Sequence, residues 1–556
     1  MLIGALACAP GCGGGAGAGA PGGSAAGGTG GTGGSGAGDP GSGRRGGGGD
    51  AGGAAGDSSG DAGSGGARGG AAGTVVAGRG GSPAGTGGGG TAGSGGSAAG
   101  TAGGGTGGSA AGGSGGSPAG IGGSPAGTGG GGAAGSGGAT AACDQVWRGD
   151  IQTGTALDDE ITAVTAAAGG GFYVTGYERG DDQSTDIIPA GDARAVVARY
   201  DGSGALMWEE TIDTSGADTA EDLQVDPATG NLIVLGRTTG AFSGFQNQGQ
   251  FDLYVATLNS SGNLLGAIQI GDERPQHPVR LGLGPERAIL VAGYDDLFID
   301  VNFVAALEHG FFAEVTGGVA PTFAPAEDFW QRSAYLDSPP PPRSNQDFTT
   351  GVAVDPTGDG SFYVSSTVNG LVDQRGIFVS KVNAAGQTLW SNRLSGEAGD
   401  FLAAIGFSPN GDLIVGGTAA PEVIGTEVGQ QDAFAARVDK TTGAVIWATG
   451  AGSVDADFTT AMAFDAAGNI YLTGQMLAAS GTAGQGTVDI FVAKIGPSGG
   501  VQSYWQRGSA GDDMAASIAV DACGRVLVGG FTTGALVAGQ PNAGRRDMFV
   551  VKADLR

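Results

Sequence analysis

One pattern recurs seven times in the C-terminal three-quarters of the chain, and that recurrence restricts the fold more than any single residue does. Its first half reads "AVTAAAGGGFYVTG", "DLQVDPATGNLIVLG", "RLGLGPERAILVAG", "GVAVDPTGDGSFYVSS", "AIGFSPNGDLIVGG", "AMAFDAAGNIYLTG" and "SIAVDACGRVLVGG". Each copy is an apolar run, a Gly/Asp/Asn turn and a second run ending in a small residue. A variable loop follows, then a third run ("AVVARY", "LYVATL", "IFVSKV", "AFAARV", "IFVAKI", "MFVVKA"), a short turn and a fourth run. Alternating apolar residues bounded by "NG", "DG" or "GN" are hairpin signals. Four antiparallel strands every ~57 residues are what a β-propeller blade requires. The expectation is an all-β, seven-bladed β-propeller.

The tryptophans support the frame. Trp147, Trp208, Trp330, Trp390, Trp447 and Trp505 all occupy the fourth-run position, where unit two has Leu264 and Leu265. They read as structural, blade-packing residues. The seventh unit stops at "DMFVVKADLR", before a fourth run, while "VWRGDI" stands ahead of unit one with nothing beside it to pair with. Pairing the two would close the ring and leave no open edge between the first and last blades. The first-to-second and third-to-fourth turns of a blade lie on one face, which brings Cys143 and Cys523 together. They are the cysteines of the propeller, and a disulfide between them would lock the closure and imply an oxidising compartment.

Residues 13–142 contrast with this. The chain has 123 glycines, and this stretch is nearly all Gly, Ala, Ser and Thr, with no every-third-glycine period. It has almost no apolar surface to offset the entropy of ordering, so it is expected to be a disordered tether. A Gly-rich coil of ~130 residues has an end-to-end distance of roughly 60–70 Å. The formal net charge of −28 argues against a nucleic-acid partner, because phosphate binding needs clustered Lys and Arg. No run of 18 apolar residues is present to span a membrane as a helix.

Residues 1–12, "MLIGALACAPGC", resemble the end of a bacterial lipoprotein signal, with Cys8 as the residue that would be lipidated. The place three before that cysteine holds Ala5 where such signals carry Leu, and no basic n-region precedes it. The repeat itself, "VAVDxxGNxYxTG…DxFVxK…G…W", resembles the SBBP-type seven-bladed propeller repeat of bacterial cell-surface proteins. The resemblance covers residues 143–556 and is weakest in unit three, with its "LDSPPPPRSNQD" insertion. It implies an envelope or extracellular location and an interaction role, and it does not imply a catalytic residue.

Chemistry is sparse. Five residues before the first core position of each inner strand stands an aspartate: Asp159, Asp218, Asp347, Asp400, Asp457 and Asp513, with Gln276 in unit three. Two compatible readings are open: caps bonding local backbone N–H groups, or a carboxylate ring at the channel mouth able to hold Ca²⁺. The long second-to-third-strand loops belong to the same face, the expected recognition surface. His277 and His309 have no metal-ligand spacing and read as structural. "DKTTGAVIW" resembles the Trp-docking motif of quinoprotein propellers, without that chemistry's cofactor ligands. The function expected is a monomeric, envelope-anchored or surface-displayed module binding a protein, glycan or cation-bridged ligand. The alternatives are an outer-membrane assembly scaffold, and a lyase or glycosidase working through paired carboxylates.

Overall fold

The computed structural model describes residues 143 to 555 apart from 144, 169, 180–192, 274, 285–288, 299–305, 316–331, 334–345, 370–375, 385, 396, 398, 421–430 and 478–485. Between 295 and 347, and at 369, it describes backbone alone. Every described residue belongs to the unit that contains Gly120–Arg556. Cys8, Trp330 and the expected tether lie outside the described residues, and so do the side chains of Asp347 and His309.

The described chain is all-β, a propeller arrangement of four-stranded antiparallel sheets. Blade 7 draws on both ends of the domain, so the first strand in sequence, β1 (Ile151–Thr153), is not part of blade 1. Blade 1 is β2 (Asp159–Ala166), β3 (Phe172–Glu178), β4 (Arg194–Tyr200) and β5 (Leu206–Ile212). Blade 2 is β6 (Asp218–Val225), β7 (Leu232–Thr238), β8 (Asp252–Leu258) and β9 (Leu264–Ile270). Blade 3 is β10 (Gln276–Leu283), β11 (Ile289–Phe298), β12 (Ala306–Val315) and β13 (Arg332–Ser333). Blade 4 is β14 (Gln346–Val354), β15 (Phe362–Asn369), β16 (Gly376–Val382) and β17 (Thr388–Ser395). Blade 5 is β18 (Phe401–Phe407), β19 (Leu413–Ala419), β20 (Asp432–Val438) and β21 (Val445–Gly450). Blade 6 is β22 (Asp457–Phe464), β23 (Ile470–Leu477), β24 (Val488–Ile495) and β25 (Val501–Arg507). Blade 7 is β26 (Asp513–Val520), β27 (Val526–Thr532) and β28 (Asp547–Ala553), with β1 as its outer strand. Six sheets are regular. Blade 3 departs, with two ten-residue strands and a fourth of two residues.

The first strands of successive blades touch, β2 lying against both β6 and β26, so they form the innermost layer. Each carries one bulge at the same place: Thr162, Glu221, Val279, Thr350, Ala403, Thr460 and Ala516 are skipped in the register with the second strand. A bulge bends its strand and increases the twist, which suits an inner strand turning past its neighbour. The freed side chain is then available to the next blade: Thr162 Oγ1 donates to Ala220 O at 2.7 Å. Apolar residues of the middle strands fill the spaces between blades. Ile405, Val415, Phe434 and Ala436 of blade 5, for example, pack with Tyr363, Ile377 and Val379 of blade 4. All are buried.

The closing strand is shorter than "VWRGDI" suggests. β1 pairs antiparallel with β28 over Ile151↔Val550, Gln152↔Phe549 and Thr153↔Met548 only. Trp147 precedes it and is not in the strand; its ring lies 6.1 Å from Phe172 of blade 1. Glycine and charge cut the strand short. Gly149 takes φ +146°, and Asp150 turns inward to accept from the Trp147 indole, from Lys552 N at 2.9 Å and from Arg507. Gln152 secures the other side through Val537 N and the Asp547 carboxylate. Cys143 and Cys523 are disulfide-bonded in this structure, with Cα atoms 5.4 Å apart.

Four of the five described tryptophans lie half-buried against a turn glycine of the next blade, Trp208 and Trp390 also meeting Tyr173 and Tyr363 of their own blades. Trp208 of blade 1 meets Gly262 of blade 2, Trp390 meets Gly443 of blade 5, Trp447 meets Gly499 of blade 6, and Trp147 meets Gly204 of blade 1. Each glycine sits in a third-to-fourth-strand turn with positive φ. "DKTTGAVIW" is one such turn: Asp439 Oδ1 accepts from Thr441 N and Thr442 N, and Gly443 receives the preceding blade's Trp390.

Candidate functional site

The aspartates that begin the inner strands are buried to 0–2% exposure where their side chains are described: Asp159, Asp218, Asp400, Asp457 and Asp513. Four of them close the connection from the preceding blade by reaching back four residues. Asp218 accepts from Thr214 N at 2.6 Å and from its hydroxyl at 2.9 Å. Asp457 accepts in the same way from Ser453 N and Oγ, Asp159 from Thr155, and Asp513 from Ser509. Asp400 is held by Ser395 Oγ, five residues back, and by Ala420 N at 2.8 Å. This is capping of a turn by a Ser/Thr-x-x-x-Asp segment. Among the described residues no group of three or more His, Cys, Asp and Glu side chains is placed to hold a metal ion. Burial pushes the Asp159 carboxyl up to about 6, against the hydrogen bonds from Thr155 that favour the charged form. Burial also raises Asp218, Asp400, Asp457 and Asp513.

A second set of buried aspartates, not singled out from the sequence, begins the third strands: Asp252, Asp432, Asp489 and Asp547, at 0–2% exposure. Asp252 accepts from Gln248 N and Asp547 from Ala543 N, each four residues back again. These two cap the described recognition loops, 239–251 and 533–546. Asn247 and Asn542 brace the same loops by donating to Thr238 O and Thr532 O. The signal was present as the Asp of "DxFVxK"; its role depends on the preceding loop, whose sequence varies.

At the same end of the inner strands, the residue after each capping position pairs across the hairpin. The pairs, in blade order, are Glu160↔Tyr177, Thr219↔Arg237, His277↔Tyr294, Phe348↔Thr367, Phe401↔Thr418, Phe458↔Gln475 and Met514↔Phe531. This mouth is split. Blades 1 to 3 supply charge and hydrogen-bonding groups. The Tyr177 hydroxyl donates to Glu160 at 2.9 Å, Arg546 lies 3.7 Å from Glu160, and Arg179 lies 3.5 Å from Asp158. Arg237 pairs with Glu221 at 3.2 Å and donates to His277 Nδ1 at 2.7 Å. His277 is therefore structural, stacked on Tyr294 with its Nδ1 as acceptor. Blades 5 to 7 supply the partly exposed apolar groups Phe401, Phe458 and Met514.

Deeper in, Arg280 of blade 3 donates to Val279 O and reaches Thr460 O of blade 6 at 3.2 Å, joining two blades that are not neighbours. Asp222, accepting from Leu223 N and Leu281 N, is raised by burial to about 6 against the pull of the Arg280 charge.

No protein-family model and no curated protein matches the chain. Among solved structures it is similar to a puromycin hydrolase, at 18% identity and a TM-score of 0.37, over 72% of this chain and 52% of that one. It is also similar to the Hadza microbial sialidase Hz136 (10%, 0.37, over 73% and 66%) and to a PL25 ulvan lyase (12%, 0.36, over 73% and 98%). The chain spans about half the length of the hydrolase. Likenesses of this depth carry neither an activity nor a substrate to this chain.

Proposed function

We propose that this chain is a tethered, envelope-anchored recognition module: a ring of seven SBBP-type blades, held by lipidation at Cys8, that binds a protein or glycan at the mouth where the inner strands begin. The observation that carries the reading is that Phe401, Phe458 and Met514 of blades 5 to 7 stay partly exposed at this end of the inner strands, while the ion-paired Glu160, Arg179 and Arg237 of blades 1 and 2 are buried there. Concave surfaces with apolar walls and a few fixed polar groups are where ligands bind. Aromatic residues at such a surface give large contact area at low entropic cost. The buried aspartates support the mouth by fixing the loops around it; Asp159, Asp218, Asp252, Asp400, Asp457, Asp513 and Asp547 are already committed to backbone N–H groups, which favours non-covalent recognition over acid–base catalysis. A monomer at an oxidising cell surface, with Cys143 bridged to Cys523, fits the same reading.

The test is binding of the full chain to an array of bacterial and plant polysaccharides and envelope proteins. The Phe401→Ser/Phe458→Ser double variant should lose at least about tenfold in affinity, a loss of ~1.4 kcal/mol. The Val445→Ser/Ile446→Ser control, on the outer strand of blade 5, should bind as the wild type does. Equal binding by the mouth variant would refute the assignment, and an unacylated Cys8 peptide from the native envelope fraction would remove the anchor.

A further inference from the structure

At two blade-to-blade connections the aspartate that begins a third strand and the one that begins the next blade approach the same glycine, and at a third they lie against adjacent residues of the connection. Asp432 Oδ1 and Asp457 Oδ2 lie 2.5 and 2.8 Å from the point where a Cβ on Gly452 would stand, and Asp547 Oδ1 and Asp159 Oδ2 lie 2.6 and 2.9 Å from the corresponding point on Gly154. Between blades 6 and 7 both oxygens of Asp489 lie within 2.9 Å of that point on Gly508, and Asp513 accepts from the N–H of the next residue, Ser509. A fourth connection has a neutral version: at Gly271 the carboxylate of Asp252 meets the amide of Gln276.

The pair between blades 6 and 7 is the most exposed to a charge conflict. Asp489 is 1% exposed, and its Oδ1 accepts no hydrogen bond. Asp513 is fully buried and takes the Ser509 and Thr532 hydroxyls and Ser509 N. The other charged group facing them is Asp512, whose carboxylate accepts from Thr487 Oγ1 while its backbone N–H donates to Thr533 Oγ1. Among the described residues no Lys or Arg forms an ion pair with either member; Arg507, six residues before Asp513, is committed to Asp150, and Lys494, five after Asp489, lies over the Tyr471 ring. Two buried carboxylates without a counter-charge cannot both stay ionised. A cation would need oxygen ligands around it at 2.3–2.6 Å, and here the glycine backbone packs against Asp489 instead.

We infer that the Asp489–Asp513 pair is a proton-binding site, in which one member is a neutral carboxylic acid and the other its carboxylate partner, so that the blade 6–blade 7 junction takes up a proton when it forms. Burial and the neighbouring carboxylate act in the same direction on Asp489, and burial raises Asp513. A carboxyl raised in the folded state contributes stability that is complete below its unfolded value and is lost as pH rises through its folded value.

The experiment compares unfolding of the full-length wild type and of Asp489→Asn at pH 5 and pH 8, each with EDTA and with calcium chloride. Between those pH values the wild-type folding equilibrium constant should fall about tenfold for each unit by which the folded pKa exceeds 5, since the unfolded carboxyl is already ionised there. The permanently neutral variant should fall by less, and so should gain on the wild type at pH 8. Identical pH dependence in the two proteins overturns the inference. So does a rise in wild-type stability with calcium at pH 8 that the variant lacks, which would make the junction a cation site. If that variant does not fold, Asp513→Asn takes its place: a smaller fall than the wild type's between pH 5 and pH 8 is expected, and an identical fall overturns the inference.

Discussion

Gly499 shows how much of this molecule is decided by single residues that have no chemistry. It holds φ +90° in the third-to-fourth-strand turn of blade 6, and a Cβ there would stand 2.9 Å from the Trp447 ring of blade 5. The adjacent bond from Thr449 Oγ1 to Gly499 O, at 2.6 Å, fastens the same contact. Gly499→Ala should destabilise the chain by roughly 1–3 kcal/mol, from backbone strain and displaced indole together. Gly500→Ala, with open space at its Cβ position, should cost far less. Urea unfolding of the two variants measures the difference, and equal losses would remove the staple from the account. Single residues were also what the sequence conveyed unevenly. The capping aspartates were legible because their spacing repeats, and the structure uses them on local backbone. Their partners Asp432, Asp489 and Asp547 were not, because the contact is made between blades, about 25 residues away or across the whole domain.

Among the elements, the regular hairpins were legible because alternation and turn chemistry point the same way. The "SPNGDL" turn bears this out at Phe407–Leu413, where Ser408 N bonds Asp412 O and Gly411 takes positive φ. Blade 3 was the least legible, and it is the sheet whose outer strand is reduced to Arg332–Ser333. The closing strand was legible in place but not in extent. An apolar "VW" ahead of "RGDI" reads as more strand, whereas Trp147 is spent on blade 1 and only three residues pair with β28. A three-residue strand is a weak fastener, so the Cys143–Cys523 bond beside it should matter. Its two cysteines are 380 residues apart, and restraining so long a loop lowers the entropy of the unfolded chain. Reduction should cost about 2–5 kcal/mol. Chemical unfolding with and without reductant checks this; an unchanged midpoint in a demonstrably reduced sample would contradict it.

For the whole molecule, the inner strands, the mouth and the loops around it keep their positions only if the ring is closed. Seven repeated units could equally end as an open arc with two raw edges, exposing β28 and leaving Gln152 and Asp150 without Asp547, Val537, Lys552 and Arg507. The truncated seventh unit and the spare first strand together made closure legible, and the split mouth was not, because its two halves come from side chains that differ from blade to blade at one register position. The most direct measurement is amide hydrogen exchange across Ile151–Thr153 and Asp547–Ala553 in the oxidised full-length chain. Closure predicts that the β1 and β28 amides engaged with each other are protected to a degree comparable with β24 and β25 of blade 6. Exchange at the rate of exposed coil in β1, with the outward amides of β28 unprotected, would mean that the ends do not meet.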